Sequence, residues 1–316
     1  MGFARSSVGG FIKASGTTIE HDPIIKSDGV GEVFKWLAST GSSSVTIDED
    51  ASNILSLSAP STIIGSMYIG HGAGGDTDST AVGDNTLDKT DAGALKNTAI
   101  GANALTDLVD TDGNTALGYN ALGKFTGDYG TAIGYNAAEN ATSAVRLTAI
   151  GKAAAPNLQG GDNNTCVGAS SLGTIAGTDN VAVGYVALNA NSGSQNTALG
   201  RSALQGFTGG NATAVGYAAA DSAGSQTGLT AVGRDALGAA TSGNNCTALG
   251  YSAGSTLETG ADCTMLGAST APSAVGGANQ TVIGASATGQ ADNSVVLGNA
   301  SVTAVYAAQD SGATVH

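Results

Sequence analysis

A tetrapeptide of the form Thr-Ala-(Ile/Val/Leu)-Gly recurs along most of the 316-residue chain. Copies begin at Thr98 and Thr115 and continue to Thr247, mostly at steps of 16 or 17 residues. With degenerate copies included, the final glycine of the repeat recurs from Gly70 to Gly298. A repeat of this length is one small structural unit that must stack on its neighbours to bury its apolar side chains.

We call the last residue of each copy the anchor glycine. In the central part of the array the anchor glycines are Gly101, Gly118, Gly134, Gly151, Gly168, Gly184, Gly200, Gly216, Gly233 and Gly250. β-Branched residues beside a regularly spaced glycine, with Asn, Ser and Gly clusters between copies, leave no window for a stable helix. The pattern predicts an all-β fold, a β-solenoid or parallel β-roll of about 15 coils of 16–17 residues.

The repeat also predicts which side chains share a face of each strand. Thr131 and Ile133 lie on one face and Ala132 lies on the other, because successive strand side chains alternate. We expect the Thr and aliphatic face to line the interior, since the aliphatic residues most need burial. The alanine face would then point outwards and allow another copy of the chain to approach closely, which predicts an oligomer.

Composition and charge restrict the possible functions. Aromatic residues make up 4% of the chain and charged residues 11%, which is little material for a catalytic cleft. The three histidines are too scattered for a catalytic triad, so we expect neither enzyme activity nor a cofactor. The net charge of −14 disfavours nucleic acid. No apolar run is long enough to predict membrane insertion, and no secretion signal is visible.

Composition changes at both ends of the array. Residues 1–62 contain Trp36, the only tryptophan, and three of the five phenylalanines, which predicts a separate small N-terminal domain. Within it, residues 44–48 and 53–58 alternate like the arms of a hairpin. The repeats fill residues 63–300, and residues 301–316 are predicted to form a C-terminal cap or tail segment.

Two groups of residues are candidates for metal or thiol chemistry. Asp107, Asp110 and Asp112 form a dense carboxylate cluster, but their spacing does not match a complete calcium loop. We therefore expect solvated turns and no bound metal. Cys246 and Cys263 occupy the same position in consecutive coils, so they should be stacked neighbours, and free thiols are favoured over a disulfide.

Tyrosine or arginine often follows the anchor glycine. The receptor-facing candidates at this position are Tyr119, Tyr135, Tyr185, Tyr217, Tyr251, Arg201 and Arg234. Such a column could stack on sugar rings or anchor a protein partner. The alternative is that these side chains pack locally at a bend, or between subunits.

The threonines of the repeat predict a second column. Thr98, Thr115 and Thr131 would stack into a ladder, and a flat exposed Thr row is typical of ice-binding solenoids. Because we expect the aliphatic residues on the same face to be buried, the ladder should line the interior, which disfavours ice binding.

The repeats resemble those of known surface-binding proteins. Residues 97–105 and 114–122 look like the head repeats of trimeric autotransporter adhesins, and still more like the longer repeats in tail-fibre proteins of marine and cyanobacterial phages. The resemblance covers about residues 62–300. It implies a homotrimer of left-handed parallel β-rolls that binds a cell surface. The repeat is longer than the adhesin-head unit and no secretion signal or coiled-coil stalk is visible, which favours the phage fibre.

The resemblance leads to a functional expectation. The chain would be a structural virion component, a phage tail fibre assembled in the host cytoplasm, that attaches to the host surface by multivalent binding. Its partners would be two further copies of itself, other tail or virion proteins bound through the N-terminal domain, and a host surface glycan or protein receptor. The alternatives are a bacterial trimeric surface adhesin head and a purely structural virion appendage without receptor contact.

Overall fold

The computed structural model describes residues 78–88, 95–108, 110–173, 177–190 and 192–305, together with the backbone of six short strands before residue 71. The chain divides into two compact units, Met1–Ile64 and Gly65–His316. Most of the predicted N-terminal domain, including Trp36, lies outside the described residues, as does the tail beyond residue 305.

All the strands are two to four residues long. They are β1 (Ala14–Ser15), β2 (Thr18–Ile19), β3 (Asp48–Glu49), β4 (Leu55–Ser56), β5 (Ser61–Ile64), β6 (Met67–Gly70), β7 (Thr80–Val82), β8 (Thr98–Ile100), β9 (Thr115–Leu117), β10 (Thr131–Ile133), β11 (Thr148–Ile150), β12 (Thr165–Val167), β13 (Val181–Val183), β14 (Thr197–Leu199), β15 (Thr213–Val215), β16 (Thr230–Val232), β17 (Thr247–Leu249), β18 (Thr264–Leu266), β19 (Gln280–Ile283) and β20 (Ser294–Leu297). In the first unit, β1 pairs with β2 and β3 pairs with β4, both antiparallel.

The second unit is a parallel β-solenoid. Each strand from β7 to β20 pairs in parallel with the next, and the pairing is in register, so that Thr131 lies between Thr115 and Thr148. Every position of the repeat therefore stacks on itself from coil to coil. The described residues contain no helix, and the all-β solenoid predicted from the repeat is confirmed.

The number of coils was overestimated. The solenoid has about 12 turns, not 15. At the N-terminal end, β6 pairs antiparallel with β7, so Gly70 ends a hairpin arm and does not anchor a coil. At the other end the strands lengthen to four residues in β19 and β20, and the regular three-residue strands stop at β18.

The predicted orientation of the strand side chains is wrong. Ala132 is fully buried, whereas Ile133, on the face predicted to be interior, is 37% exposed. The same arrangement holds along the array, where the middle residue of each three-residue strand is buried and the flanking residues are partly or fully exposed. The alanine face is therefore not available to another copy of the chain.

Other aliphatic residues fill the interior, and this explains the reversal. The residue four positions after the anchor glycine is buried in successive coils, as in Leu105, Leu122 and Leu188. The residue seven positions after it is also buried where it is large, as in Phe125 and Phe207. With these side chains inside a narrow coil, the strand that faces them has little room, so alanine occupies its buried middle position in most coils. Cys166 and Met265 take the same position in β12 and β18.

The turns between strand and core depend on left-handed backbone conformations. Gly134 has φ of +138°, and a Cβ atom there would lie 2.6 Å from the carbonyl oxygen of Gly151 in the next coil. Asn120 and Leu122 also have positive φ, 53° and 51°. Left-handed conformations at Asn120 and Leu122, alternating with an ordinary conformation between them, turn the chain so that the side chain of Leu122 points into the coil.

Candidate functional site

Five candidate side chains form one continuous column on the solenoid surface. The residue after the anchor glycine is tyrosine or arginine in five successive coils, and the in-register strands place these residues above one another. We call this set the Tyr–Arg ladder, and its members in order are Tyr185, Arg201, Tyr217, Arg234 and Tyr251. All three of its tyrosines are about half exposed.

Tyrosine and arginine alternate in the ladder at cation–π distances. The Cζ atom of Arg201 lies 5.6 Å from the ring centroid of Tyr185 and 5.4 Å from that of Tyr217. The Cζ atom of Arg234 lies 5.5 Å from the ring centroid of Tyr217 and 5.7 Å from that of Tyr251. Each guanidinium is thus held between two rings, an arrangement that stabilises the cation and orders its side chain.

This geometry determines what the ladder can present to a ligand. Tyr217 has an arginine over each of its two ring faces, so neither face is free to stack on a sugar ring. With those faces covered, the groups that remain for a ligand at this half-exposed column are the tyrosine hydroxyls and the guanidinium N–H groups. The ladder therefore presents hydrogen-bond donors in a line along the solenoid axis.

The two arginines differ in their polar contacts. The Nε atom of Arg234 lies 3.1 Å from a carboxylate oxygen of Asp235. Arg201 donates from Nη1 to the hydroxyl oxygen of Tyr217 over 3.1 Å. Within the part of the chain that the structure describes, no carboxylate lies at ion-pair distance from Arg201.

The other two tyrosine candidates form a separate pair. The rings of Tyr119 and Tyr135 stack with centroids 5.3 Å apart and an interplanar angle of 14°. Both side chains are exposed. Lys152 follows at the same position in the next coil and Ala169 in the one after, so the column of large side chains is interrupted before the Tyr–Arg ladder begins.

A second exposed surface lies on the strands themselves. The threonine and aliphatic side chains of β7 to β18 project outwards in two parallel rows, which we call the aliphatic face. Its exposed large residues are Ile100, Leu117, Ile133, Val181, Leu199, Leu249 and Leu266. An apolar surface of this extent on a single chain is typical of a protein–protein interface.

One residue of the predicted acidic cluster, Asp112, has a structural function. Asp112 accepts a hydrogen bond from the backbone N–H of Leu95 over 2.7 Å, and Asp128 in the next coil accepts one from the N–H of Asp112 over 2.9 Å. These carboxylates connect successive coils. Among the described residues, no group of three or more His, Cys, Asp or Glu side chains could hold a metal ion.

The cysteines are buried and free. Cys246 and Cys263 donate to the carbonyl oxygens of Gly260 and Gly277 over 3.3 Å and 3.2 Å. Burial raises the pKa of Cys246 to about 11 and that of Cys166 to about 12. A protonated, enclosed thiol is a poor nucleophile, so neither Cys166 nor Cys246 is suited to catalysis.

Sequence reasoning missed a buried asparagine ladder. The residue before the repeat threonine is often asparagine, and Asn97, Asn114, Asn164, Asn180 and Asn196 are all buried. The Oδ1 atom of each accepts a hydrogen bond from the backbone N–H at the same position of the next coil. The N–H of Asn114, for example, donates to Oδ1 of Asn97 over 2.9 Å. The recurrence of Asn beside Thr was the signal, although it suggested turns.

Comparison with protein-family models and with curated protein sequences finds no match for this chain. Its function must therefore be argued from the repeat, the solenoid and the two exposed surfaces. Among the described residues, no helix has the length and apolar character that crossing a bilayer requires.

Proposed function

We propose that this chain is a structural virion component, a phage tail fibre that attaches to the host cell surface by multivalent binding. The observation that carries the proposal is the stacking of identical positions into long exposed columns on a solenoid. Such columns offer the same weak contact many times, and linked contacts give avidity without a deep pocket. The resemblance of the repeats to phage fibre sequences supports the virion setting.

The fibre would be a homotrimer that associates through the aliphatic face. This replaces the alanine face as the interface, because Ala132 and its equivalents are inside the coil. The side chains of Leu117, Leu199 and Leu249 are 44 to 48% exposed in the single chain, and association would remove them from water. At about 25 cal/mol per Å² of apolar surface, a row of such residues supplies a substantial driving force.

Light scattering on the purified full chain tests the oligomer. The expected mass is three times the 30.4 kDa of one chain. A measured mass equal to that of a single chain would refute the trimer. It would also refute the proposal that three copies present the same contacts to a receptor.

Electron microscopy of phage particles tests the virion assignment. Gold-labelled antibody raised against the purified chain should label a tail appendage, and adsorption to host cells should fall when the antibody is present. The alternative of a bacterial adhesin head predicts label on bacterial cells and a gene neighbourhood with a secretion anchor. A virion appendage without receptor contact predicts label on the particle with adsorption unchanged.

Ice binding is a second candidate, because the structure overturns the reason for setting it aside. The threonine row of the aliphatic face points outwards in register over many coils. Trimer formation and ice binding would use the same face, so they exclude each other. Thermal hysteresis in the purified protein would favour ice binding, and its absence in a trimeric sample would favour the fibre.

A further inference from the structure

We propose that the Tyr–Arg ladder binds a linear anionic polysaccharide that carries one carboxylate on every second sugar. This rests on the proposed attachment function and names the chemical class of receptor that the ladder fits. The supporting observations are the charge of the ladder, the spacing of its arginines and the donor groups that it exposes.

The ladder is a locally cationic column on an acidic chain. Its five positions contain two arginines and no acidic residue, while the whole chain has a net charge of −14. Asp235, beside the column, pairs with Arg234, so among the described residues Arg201 is the ladder cation without a carboxylate at ion-pair distance. Arg201 is exposed and is held between Tyr185 and Tyr217. A guanidinium that is already ordered loses little conformational freedom on binding, and its planar donors match a carboxylate.

Arg234 can contribute a second anion contact. Its ion pair with Asp235 engages the Nε atom, and its side chain is 60% exposed. The net negative charge of the chain opposes the approach of an anionic polymer at long range, but charges beyond about 8 Å are largely screened at physiological ionic strength. Binding then depends on the contacts at the ladder itself.

The spacing of the ladder favours a polysaccharide over an acidic peptide. Arg201 and Arg234 are two coils apart, which at the usual strand separation is roughly 9.6 Å. Two sugars of an extended chain span a similar length, so alternate carboxylates would meet the arginines while the intervening hydroxyls meet Tyr217. Side chains on one face of an extended peptide recur every ~6.8 Å and would not keep this register.

Calorimetric titration of the full-length protein tests the inference. The probe is hyaluronan, which has a carboxylate on alternate sugars, compared with carboxyl-reduced hyaluronan and with polygalacturonate, which has one on every sugar. We expect hyaluronan to bind most tightly, because the additional carboxylate of polygalacturonate would lie opposite Tyr217, where the ladder has no cation of its own. Tighter binding of polygalacturonate would overturn the inference. Arg201→Gln should weaken its binding about tenfold, since a hydrogen-bonded charge contact is lost. Arg146→Gln, at an exposed arginine that bonds Asn163 outside the ladder, should leave binding unchanged.

Several results would overturn the inference. The inference fails if hyaluronan does not bind, if carboxyl-reduced hyaluronan binds equally well, or if both arginine variants lose the same affinity. It also fails if poly-L-glutamate, titrated in the same way, binds more tightly than hyaluronan, which would indicate an acidic protein partner instead. The outcome is separable from that of the proposed function. Labelled tail appendages with no hyaluronan binding would refute the ladder alone, while hyaluronan binding by a chain that labels no particle would refute the virion assignment alone.

Discussion

At the scale of single residues, the fold depends on positions where a side chain is not tolerated. The anchor glycines are packed against the same glycine of the next coil, and their φ angles are near +135°. L-amino acids rarely adopt this conformation, and the neighbouring backbone leaves no space for a Cβ atom. Each anchor thus combines a conformational requirement with a steric one.

Gly134→Ala should lower the free energy of unfolding by about 3 kcal/mol, because it adds backbone strain and a clash with Gly151. Gly123→Ala is the matched control. Gly123 does not have a positive φ, and its nearest contact would be an ordinary 3.4 Å from the carbonyl oxygen of Glu139. The control should change stability by less than about 1 kcal/mol in urea titrations. Equal effects in both variants would show that the close approach of the anchors is unimportant.

Cys166 should make stability fall as the pH rises above 9. The pKa of its thiol is raised from 9.0 to about 12 in the folded chain because burial disfavours the thiolate. Between these values the unfolded chain loses a proton that the folded chain keeps, so the free energy of unfolding decreases by up to about 1.4 kcal/mol per pH unit. The Cys166→Ala variant lacks this contribution. A comparison of denaturation midpoints at pH 8, 9 and 10 should show a shallower decline in the variant, and parallel declines would contradict the prediction.

At the scale of one coil, the same residue type has two different environments. Leu117 ends strand β9 and is 44% exposed on the aliphatic face, whereas Leu122, five residues later, is fully buried. The repeat predicted the solenoid because its period and its turn residues require one. It did not predict the orientation, because both leucines recur with the same period and alternation alone does not say which face is inside.

The Tyr–Arg ladder was predictable only in part. The sequence placed tyrosine and arginine at one position of the repeat, and the register then stacks them into a column. That the guanidinium groups cover both faces of Tyr217 depends on side-chain conformations, which periodicity does not specify. The core positions after the anchor glycine were visible in the recurrence of Leu105 and Leu122, but the aliphatic residue of the strand was the more conspicuous signal.

Aspartate at the two leucines should separate folding from association. Leu122→Asp places a charge without a partner in the core and should destabilise the chain by at least ~4 kcal/mol, with loss of the β-sheet circular dichroism signal. Leu117→Asp places the same charge on the aliphatic face, so the coil should still fold while the mass measured by light scattering falls toward that of one chain. Unfolding of both variants, or an unchanged mass for Leu117→Asp, would refute the assignment of the two faces.

At the scale of the whole molecule, the second unit is a one-dimensional stack. Each coil contacts the coil before it and the coil after it, through parallel strand pairs and ladders of Asn and Asp side chains. In such an array, stability is close to a sum of coil terms and nearest-neighbour terms. The position of a coil along the solenoid then matters less than its register with the two neighbours.

Removal of one complete coil should therefore be tolerated. Deletion of residues 119–134 joins Gly118 to Tyr135 and keeps the step between neighbouring anchors at 17 residues, from Gly118 to Gly151. Phe125 packs closely against Gly130, where a Cβ atom would lie 2.7 Å from the ring. The deletion removes both residues together, so neither is left without its packing partner. The variant should retain a β-sheet circular dichroism spectrum, cooperative unfolding and the oligomeric mass.

Deletion of half a coil is the control. Removing residues 119–126 places Gly127 directly after Gly118, so the following chain enters the stack out of register and the buried Leu122 is lost without a replacement. Each later strand would have to shift its pairing, which moves buried side chains to the exposed face. We expect this variant to be cleaved by protease under conditions in which the full-coil deletion resists. If the full-coil deletion were the more sensitive of the two, coils would not be interchangeable units, and repeated identical contacts along the solenoid could not explain its function.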